Sequence, residues 1–336
     1  MLAGDRPDRP RRVLESEVEL NVTGHLDDVA ERLRRGIPGT AIDRLEVLGE
    51  GDYCRAYLLN GRRVVRVPRN AAAGRALARE ACLMTRIADR LPVDVPVPKT
   101  VVEPGSSTVS FSIHDAIAGT ELTRELWLDL PAPTRSRLAR EVGVALRALH
   151  AIDPVVGRGC RLEGVDYGAR MRELRRRIYA PEGGVLPEAL KSALAEAFDR
   201  YLVQRDEWRF EPALLHTDVS PDHVLVDADR HALTGIIDWS DVCIGDPARD
   251  FIYLYEDWGG DFLALTLEAY APRERERFES RIYLHYLAEQ LEWTLAAAAE
   301  AAAGQGSGAT AQVIGEAVAM LGRALGELEK CLASLK

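Results

Sequence analysis

The stretch from Leu214 to Phe251 constrains this 336-residue chain more than any other. It carries His216-x-Asp218, four further residues, then His223-Val224-Leu225, a turn, and an apolar run ending in Ile237-Asp238-Trp239. Gly245-Asp246-Pro247-x-x-Asp250-Phe251 follows. Residues 224–227 and 235–238 have the apolar, partly β-branched character of short strands. The segment therefore reads as a tight loop feeding a hairpin, with Asp218 and His223 on the loop and Asp238 at the hairpin's far end. Two carboxylates and an imidazole so arranged can orient a hydroxyl, accept its proton and hold a divalent cation. Capping of strands and satisfaction of backbone groups is the plainer use of such residues. A zinc site from His216, Asp218 and His223 would need a further ligand of the usual kind, and none lies nearby in sequence.

The rest of the chain must supply a scaffold for that loop. Residues 45–48, 55–59 and 64–67 are short strand-like runs, the last two separated by Asn60-Gly61, the strongest two-residue hairpin signal. A helix is expected over 71–90, then strands over 100–103 and 108–113 joined by Pro104-Gly105-Ser106. A short helix at 27–35 precedes them, ended by Gly36 and Pro38. Leu138, Val142, Ala145, Leu146 and Leu149 form the apolar face of a core helix; further helices are expected over 167–178 and 187–208 and beyond the hairpin to the C-terminus. Residues 304–308 read as a helix–helix loop.

The fold class is thus α+β, a five-stranded antiparallel sheet with one helix against it and a larger, mainly helical remainder. The expected division is an N-terminal arm over 1–22, a small lobe over 23–115 and a large lobe over 116–336. A net charge of −10 argues against nucleic-acid binding, which needs basic surface to neutralise phosphates. It is compatible with a cationic ligand and equally with solubility alone. Cys54, Cys82, Cys160, Cys243 and Cys331 are scattered, odd in number and without a C-x-x-C pair, so reduced thiols and a cytoplasmic location are expected. No apolar run approaches the ~20 residues of a membrane span. A monomer is expected.

The 214–251 pattern resembles the H-x-D-x-x-x-x-N catalytic loop and following metal-binding Asp of protein kinases. It more closely resembles the aminoglycoside phosphotransferase family, in which the second strand ends in I-D-W or I-D-F, here Ile237-Asp238-Trp239. Its Gly245-Asp246-Pro247-x-x-Asp250-Phe251 also looks like that family, and the likeness covers about residues 25–300. The resemblance implies a bilobal, protein-kinase-like fold and Mg²⁺-dependent transfer of a phosphoryl group from ATP or GTP to a small-molecule hydroxyl. It makes Asp218 the catalytic base, Asp238 the principal metal ligand and His216 a brace for the loop. His223 stands where the family commonly has Asn, so it becomes the second metal ligand through one neutral nitrogen.

The same resemblance gives the nucleotide side its candidates. Gly49, Gly51 and Asp52 lie in Leu48-Gly-Glu-Gly-Asp-Tyr-Cys54, where the third glycine of a G-x-G-x-x-G loop is replaced by Cys54. A glycine-bearing hairpin turn would read the same. Arg66 occupies the position of the usual phosphate-gripping Lys, and arginine keeps the charge with a bidentate grip. Glu80 on the next helix is the candidate to orient it, unless it is an ordinary surface Glu. The linker residues His114, Asp115, Ala116 and Ile117 would offer backbone groups to the purine. No G-x-x-x-x-G-K-[ST] occurs.

For the acceptor, Glu256, Asp257 and Trp258, with Glu289, Glu292 and Trp293 at helical spacing, are the candidates. Asp250-Phe-Ile-x-Leu-x-Glu256-Asp257 is similar to a run in aminoglycoside kinases that modify the double-prime ring. Carboxylates there would match the ammonium groups of an aminoglycoside antibiotic; a solvated helix face with core aromatics is the plain alternative. A macrolide or small-metabolite kinase of the same fold, and a nucleotide-binding pseudokinase, are the other readings.

Overall fold

The computed structural model describes residues 22–51, 53–204, 208–303 and 311–335. Asp52, the loop expected at 304–308 and all but the last residue of the expected N-terminal arm lie outside the described residues.

Helix α1 (Val22–Gly36) leads into strands β1 (Leu45–Glu50), β2 (Cys54–Leu59) and β3 (Arg63–Pro68). Asn60 and Gly61 turn the β2–β3 hairpin with φ of 52° and 66°, the left-handed pair that a tight hairpin needs. The Asn60 side chain adds a second role: its Oδ1 accepts the N–H groups of Asp43 and Arg44, each at 2.9 Å, and its Nδ2 donates to Ala41 O. Helix α2 (Ala71–Ile87) follows, capped by the Asn70 side chain on the Ala73 N–H. Its buried stripe runs through Ala73, Ala76, Leu77, Glu80, Leu83, Met84 and Ile87. Glu80 is therefore a carboxylate on an apolar face, fully buried, which overturns its reading as a surface residue.

Strands β4 (Lys99–Val101) and β5 (Phe111–Asp115) complete the antiparallel sheet in the order β1-β2-β3-β5-β4. Both strands differ from their expected bounds because the chain leaves the ladder at Val101. Ser110 N donates to Val101 O and Ser110 Oγ accepts from Glu103 N, so side-chain bonding replaces strand pairing over the turn at Gly105. Val29 and Leu33 of α1 pack with Tyr57, Leu59, Val65, Phe111 and Ile113 of the sheet into one apolar cluster.

Beyond the sheet come β6 (Thr120–Glu121), α3 (Arg124–Asp129), α4 (Ala132–His150), α5 (Val155–Arg158), α6 (Tyr167–Arg177) and α7 (Glu188–Val203). Strands β7 (Ala213–Leu215), β8 (Val224–Val226), β9 (Leu233–Ile236) and β10 (Cys243–Gly245) follow, then α8 (Gly260–Tyr270), α9 (Arg275–Ala302) and α10 (Ala311–Ser334). β8 pairs with both β6 and β9, and β7 with β10; sequence reasoning missed β6, β7 and β10 as strands. Helices α4 and α8 cross at Gly143, where an added Cβ would lie 2.3 Å from Thr266 O. At that crossing Thr266 Oγ1 donates to Ala139 O at 3.0 Å.

The chain groups into two compact units. One holds the described residues up to Gly164 together with Pro212–Ala271; the other holds Val165–Glu211 and Pro272 onward. Within the first, Cys82 on α2 is disulfide-bonded to Cys160, with Cα atoms 5.6 Å apart and a sequence separation of 78. This corrects the expectation of reduced thiols throughout: no local spacing announces a bond between residues that only the fold brings together. Cys54, Cys243 and Cys331 are free thiols. Among the described residues no helix is long and apolar enough to cross a membrane.

Candidate active site

The loop after β7 is held from three sides. His216 is fully buried; its Nδ1 accepts the N–H of Asp218 at 3.2 Å, so its Nε2 carries the proton donated to Ile237 O at 3.0 Å. Burial holds its pKa below the ordinary value, in keeping with that neutral tautomer. The Trp239 ring meets the imidazole edge-on at 4.5 Å, and its Nε1 donates to Ile236 O. Asp250, at the end of the motif, is equally buried. It accepts the N–H of His216 on Oδ2 at 3.0 Å and of Thr217 on Oδ1 at 2.6 Å, with His150 Nε2 2.9 Å from Oδ2. Burial works against its charge, but these donors outweigh it and lower its pKa. His150 closes the last turn of α4 and sets Nδ1 3.0 Å from the Tyr270 hydroxyl on α8.

Asp218 leaves this braced loop directly after Thr217, whose φ is 74°. His223 sits in the short turn Pro221–His223, its Nδ1 2.9 Å from Asp218 O and 3.1 Å from Ser220 Oγ. The Asp218 carboxylate approaches the same Nδ1 at 3.4 Å. Nδ1 donating to Asp218 O leaves Nε2 of the neutral ring as the nitrogen with a lone pair, 3.7 Å from Asp238 Oδ2. Burial disfavours a charged His223, yet Asp218, Asp222 and Asp238 outweigh it and raise its pKa. The expected strand ending at Asp238 stops at Ile236, because Asp238 adopts the left-handed φ of 57° and leaves the ladder. That turn presents a carboxylate whose side chain is 45% exposed.

Arg66 on β3 links the two halves of the site. Its Nη1 is 2.8 Å from both oxygens of Glu80, and its Nη2 donates to Asp238 Oδ1 at 3.0 Å and to Ser240 Oγ. Burial opposes the arginine's charge, but Glu80 and Asp238 raise its pKa further. Burial pushes Glu80 up to about 7 against the pull of Arg66. Although part-exposed, the Asp238 carboxylate is flanked by protein that disfavours its charge; Arg66, His223 and the Ser240 contact outweigh this and hold it below the ordinary carboxylate value.

Of the residues expected to face a nucleotide, Gly49 lies at an irregularity in the β1–β2 ladder and Gly51 N donates to Cys54 O at the hairpin end. Cys54 is buried, and burial raises its thiol pKa to about 11. His114 and Asp115 end β5, with His114 Nδ1 2.9 Å from Asp115 O. Ala116 N donates to Arg62 O, and Ile117 follows it. Burial lowers the His114 pKa.

The acceptor candidates divide between the two compact units. Glu256, Asp257 and Trp258 share one π-helical turn, Leu254–Trp258. Trp258 is a core residue, 1% exposed, stacked on Phe262 with Nε1 donating to Leu122 O. In the other unit, Arg170 on α6 reaches across to α9, with Nη2 2.8 Å from Glu289 Oε2 and also bonded to Glu292. Trp293, 54% exposed, points Nε1 at Glu289 Oε1 at 3.4 Å. Sequence reasoning missed Arg170, Ser240 and His150. Each works through a partner far away in sequence, so no local spacing could have found it.

Among the described residues, no three or more His, Cys, Asp or Glu side chains are placed to hold a metal ion. The His223–Asp238 pair offers one nitrogen and one carboxylate oxygen, which suits a cation that takes its remaining oxygens from phosphates and water.

The chain is similar to the uncharacterized protein YcbJ of Bacillus subtilis (strain 168), 30% identical over 81 residues, a match spanning 24% of this chain and only 26% of that protein. Among solved structures, the GDP and kanamycin complex of APH(2")-IIia superposes with a TM-score of 0.74 at 24% identity, covering 91% of this chain and 99% of that one. The apoenzyme of macrolide 2'-phosphotransferase MphH from Brachybacterium faecium does so with a TM-score of 0.64 at 20% identity, covering 88% and 98%. These likenesses establish a kinase-like fold. The model of the phosphotransferase enzyme family APH matches residues 45–280, well over half of the sequence, and the chain belongs to that family.

Proposed function

We propose that this phosphotransferase moves the γ-phosphoryl group of ATP or GTP, with Mg²⁺, to a hydroxyl of a small molecule, an aminoglycoside first among the candidates. The observation that carries the reading is the convergence of Arg66, Asp238 and His223 beside the loop that presents Asp218. Asp218 would orient the acceptor hydroxyl and take its proton, while His216, Thr217 and Asp250 keep the loop in place. Arg66, held by Glu80, Asp238 and Ser240, would set a fixed positive charge beside the phosphate oxygens; the ends of β1 and β2 and the backbone of residues 114–117 would hold the nucleotide. Asp238 and His223 Nε2 would hold the cation, whose bound charge neutralises phosphate oxygens during transfer.

Support for the acceptor class comes from the solved relatives, one of them in complex with kanamycin. A second reading has an observation of its own. Arg170 neutralises part of the Glu289–Glu292 charge, and Trp293 beside it is largely exposed. That surface suits an acceptor with less positive charge, such as a macrolide, and a macrolide phosphotransferase is among the structural relatives. Transfer of labelled phosphate from ATP and from GTP to panels of aminoglycosides, macrolides and neutral polyols tests both. Transfer to no acceptor, with nucleotide bound, would instead support a pseudokinase.

A further inference from the structure

Arg66 occupies a position where a single ammonium would suffice to meet one carboxylate and one phosphate, yet the chain uses a guanidinium. The reason lies in how its nitrogens are shared. Nη1 is committed to the two oxygens of Glu80 at 2.8 Å each. Nη2 has two N–H groups: one donates to Asp238 Oδ1 at 3.0 Å, and the other goes to the hydroxyl of Ser240, two residues further along the same turn. Ser240 is 8% exposed, and its own N–H lies 3.4 Å from the same Oδ1. A planar fork pinned at three points cannot rotate. With Oδ1 held from two sides, Asp238 keeps Oδ2 on the side of His223 Nε2.

We infer that Ser240 is a positioning residue: through Arg66 it fixes which oxygen of Asp238 faces the nucleotide and its cation. Arg66 and Ser240 then form a matched pair. A lysine at position 66 has no second nitrogen to reach the hydroxyl, so Ser240 contributes only when residue 66 is arginine. The inference rests on the nucleotide-binding reading above and assigns a role to a side chain that neither reacts nor touches the acceptor.

The test is a double-mutant cycle on the full-length protein with Arg66→Lys, Ser240→Ala and both together. Calorimetric titration with Mg-ATP and Mg-GTP, without acceptor, gives Kd; steady-state transfer gives KM and kcat; thermal unfolding of the nucleotide-free protein gives Tm. Ser240→Ala alone should raise the nucleotide Kd and KM about three- to tenfold, the scale of one ordinary hydrogen bond, with kcat changing less. In the Arg66→Lys background, the same substitution should leave Kd and KM unchanged, and Tm should show the same non-additivity. Equal shifts of Kd in both backgrounds would overturn the pairing and make Ser240 an independent contact. A fall in Tm with unchanged nucleotide Kd would leave it a packing residue and overturn the positioning role. Failure of the unmutated protein to bind either nucleotide would overturn the proposed function itself, a result distinguishable from both.

Discussion

The carboxylate of Asp250 accepts the backbone N–H of Thr217 at 2.6 Å, and so holds the residue immediately before Asp218 in a left-handed conformation. It takes the His216 N–H as well and faces His150 Nε2, so every oxygen is met by a donor. An amide in its place would turn an NH₂ group toward one of those donors. Asp250→Asn should therefore cost roughly 3–5 kcal/mol of stability, the scale of breaking a buried charged network, measured by urea unfolding. The pH dependence has a definite sign. A carboxyl with a lowered folded pKa stabilises the protein above its unfolded value near 4, and that stability is lost as pH falls through the folded value. The asparagine variant should thus lose part of the acid limb of the wild-type stability curve below about pH 4.

Asp218→Ala should lower kcat by roughly 10²–10⁴-fold, the usual scale for a general base, with nucleotide binding largely retained. Rapid-quench measurement of phosphoryl transfer, alongside nucleotide titration, separates the two effects. Near-normal turnover would remove Asp218 from the chemistry.

Asp238→Asn should abolish transfer, whereas His223→Asn should keep substantial activity, because an amide oxygen can serve a hard cation where the imidazole nitrogen stood. Mg²⁺ titrations of activity for both variants check this. If His223→Asn is as inactive as Asp238→Asn, the imidazole has a task that an amide cannot perform.

The two acidic groups should respond unequally to neutralisation. Replacing Glu256 and Asp257 by amides should raise KM for an aminoglycoside acceptor by more than about tenfold, from charge-assisted contacts of roughly 1–3 kcal/mol each. Glu289→Gln with Glu292→Gln should raise it less, because Arg170 already offsets part of that charge. Equal rises would mean that Arg170 does not offset that charge; no rise from either pair would place the acceptor elsewhere.

Loss of the Cys82–Cys160 bond should be felt as stability. Closing a loop of this length destabilises the unfolded chain by about 4.5 kcal/mol in the entropic description. Thermal unfolding with and without reductant should show a fall in Tm on reduction. A Cys82→Ser, Cys160→Ser protein should unfold at the lower temperature in both conditions.

Much of this molecule was legible in the sequence wherever the signal was local. The Asn60-Gly61 turn, the helix beginning at Ala71 and the strand pair around the 214–251 loop all follow from short-range pattern. Boundaries slipped where side chains compete with the ladder, as at Ser110, or where a residue takes a left-handed turn, as at Asp238. The pairing of Arg66 with Glu80 could be proposed because both sit at fixed places relative to a motif. Arg170, Ser240, His150 and the disulfide could not, since their meaning lies in partners that only tertiary folding supplies.

The crossing of α4 and α8 bears on where this protein can change over generations. His150 is the last residue of α4 and Tyr270 the last of α8, so the support beneath Asp250 is delivered by two helix ends whose separation is set at Gly143. A single methyl group there must push Thr266 and its helix away, and the displacement travels along both helices to the histidine and the tyrosine. Position 143 is therefore closed to drift although it touches nothing reactive, while the exposed faces of the same helices are free to vary. Constraint in this scaffold follows leverage rather than proximity.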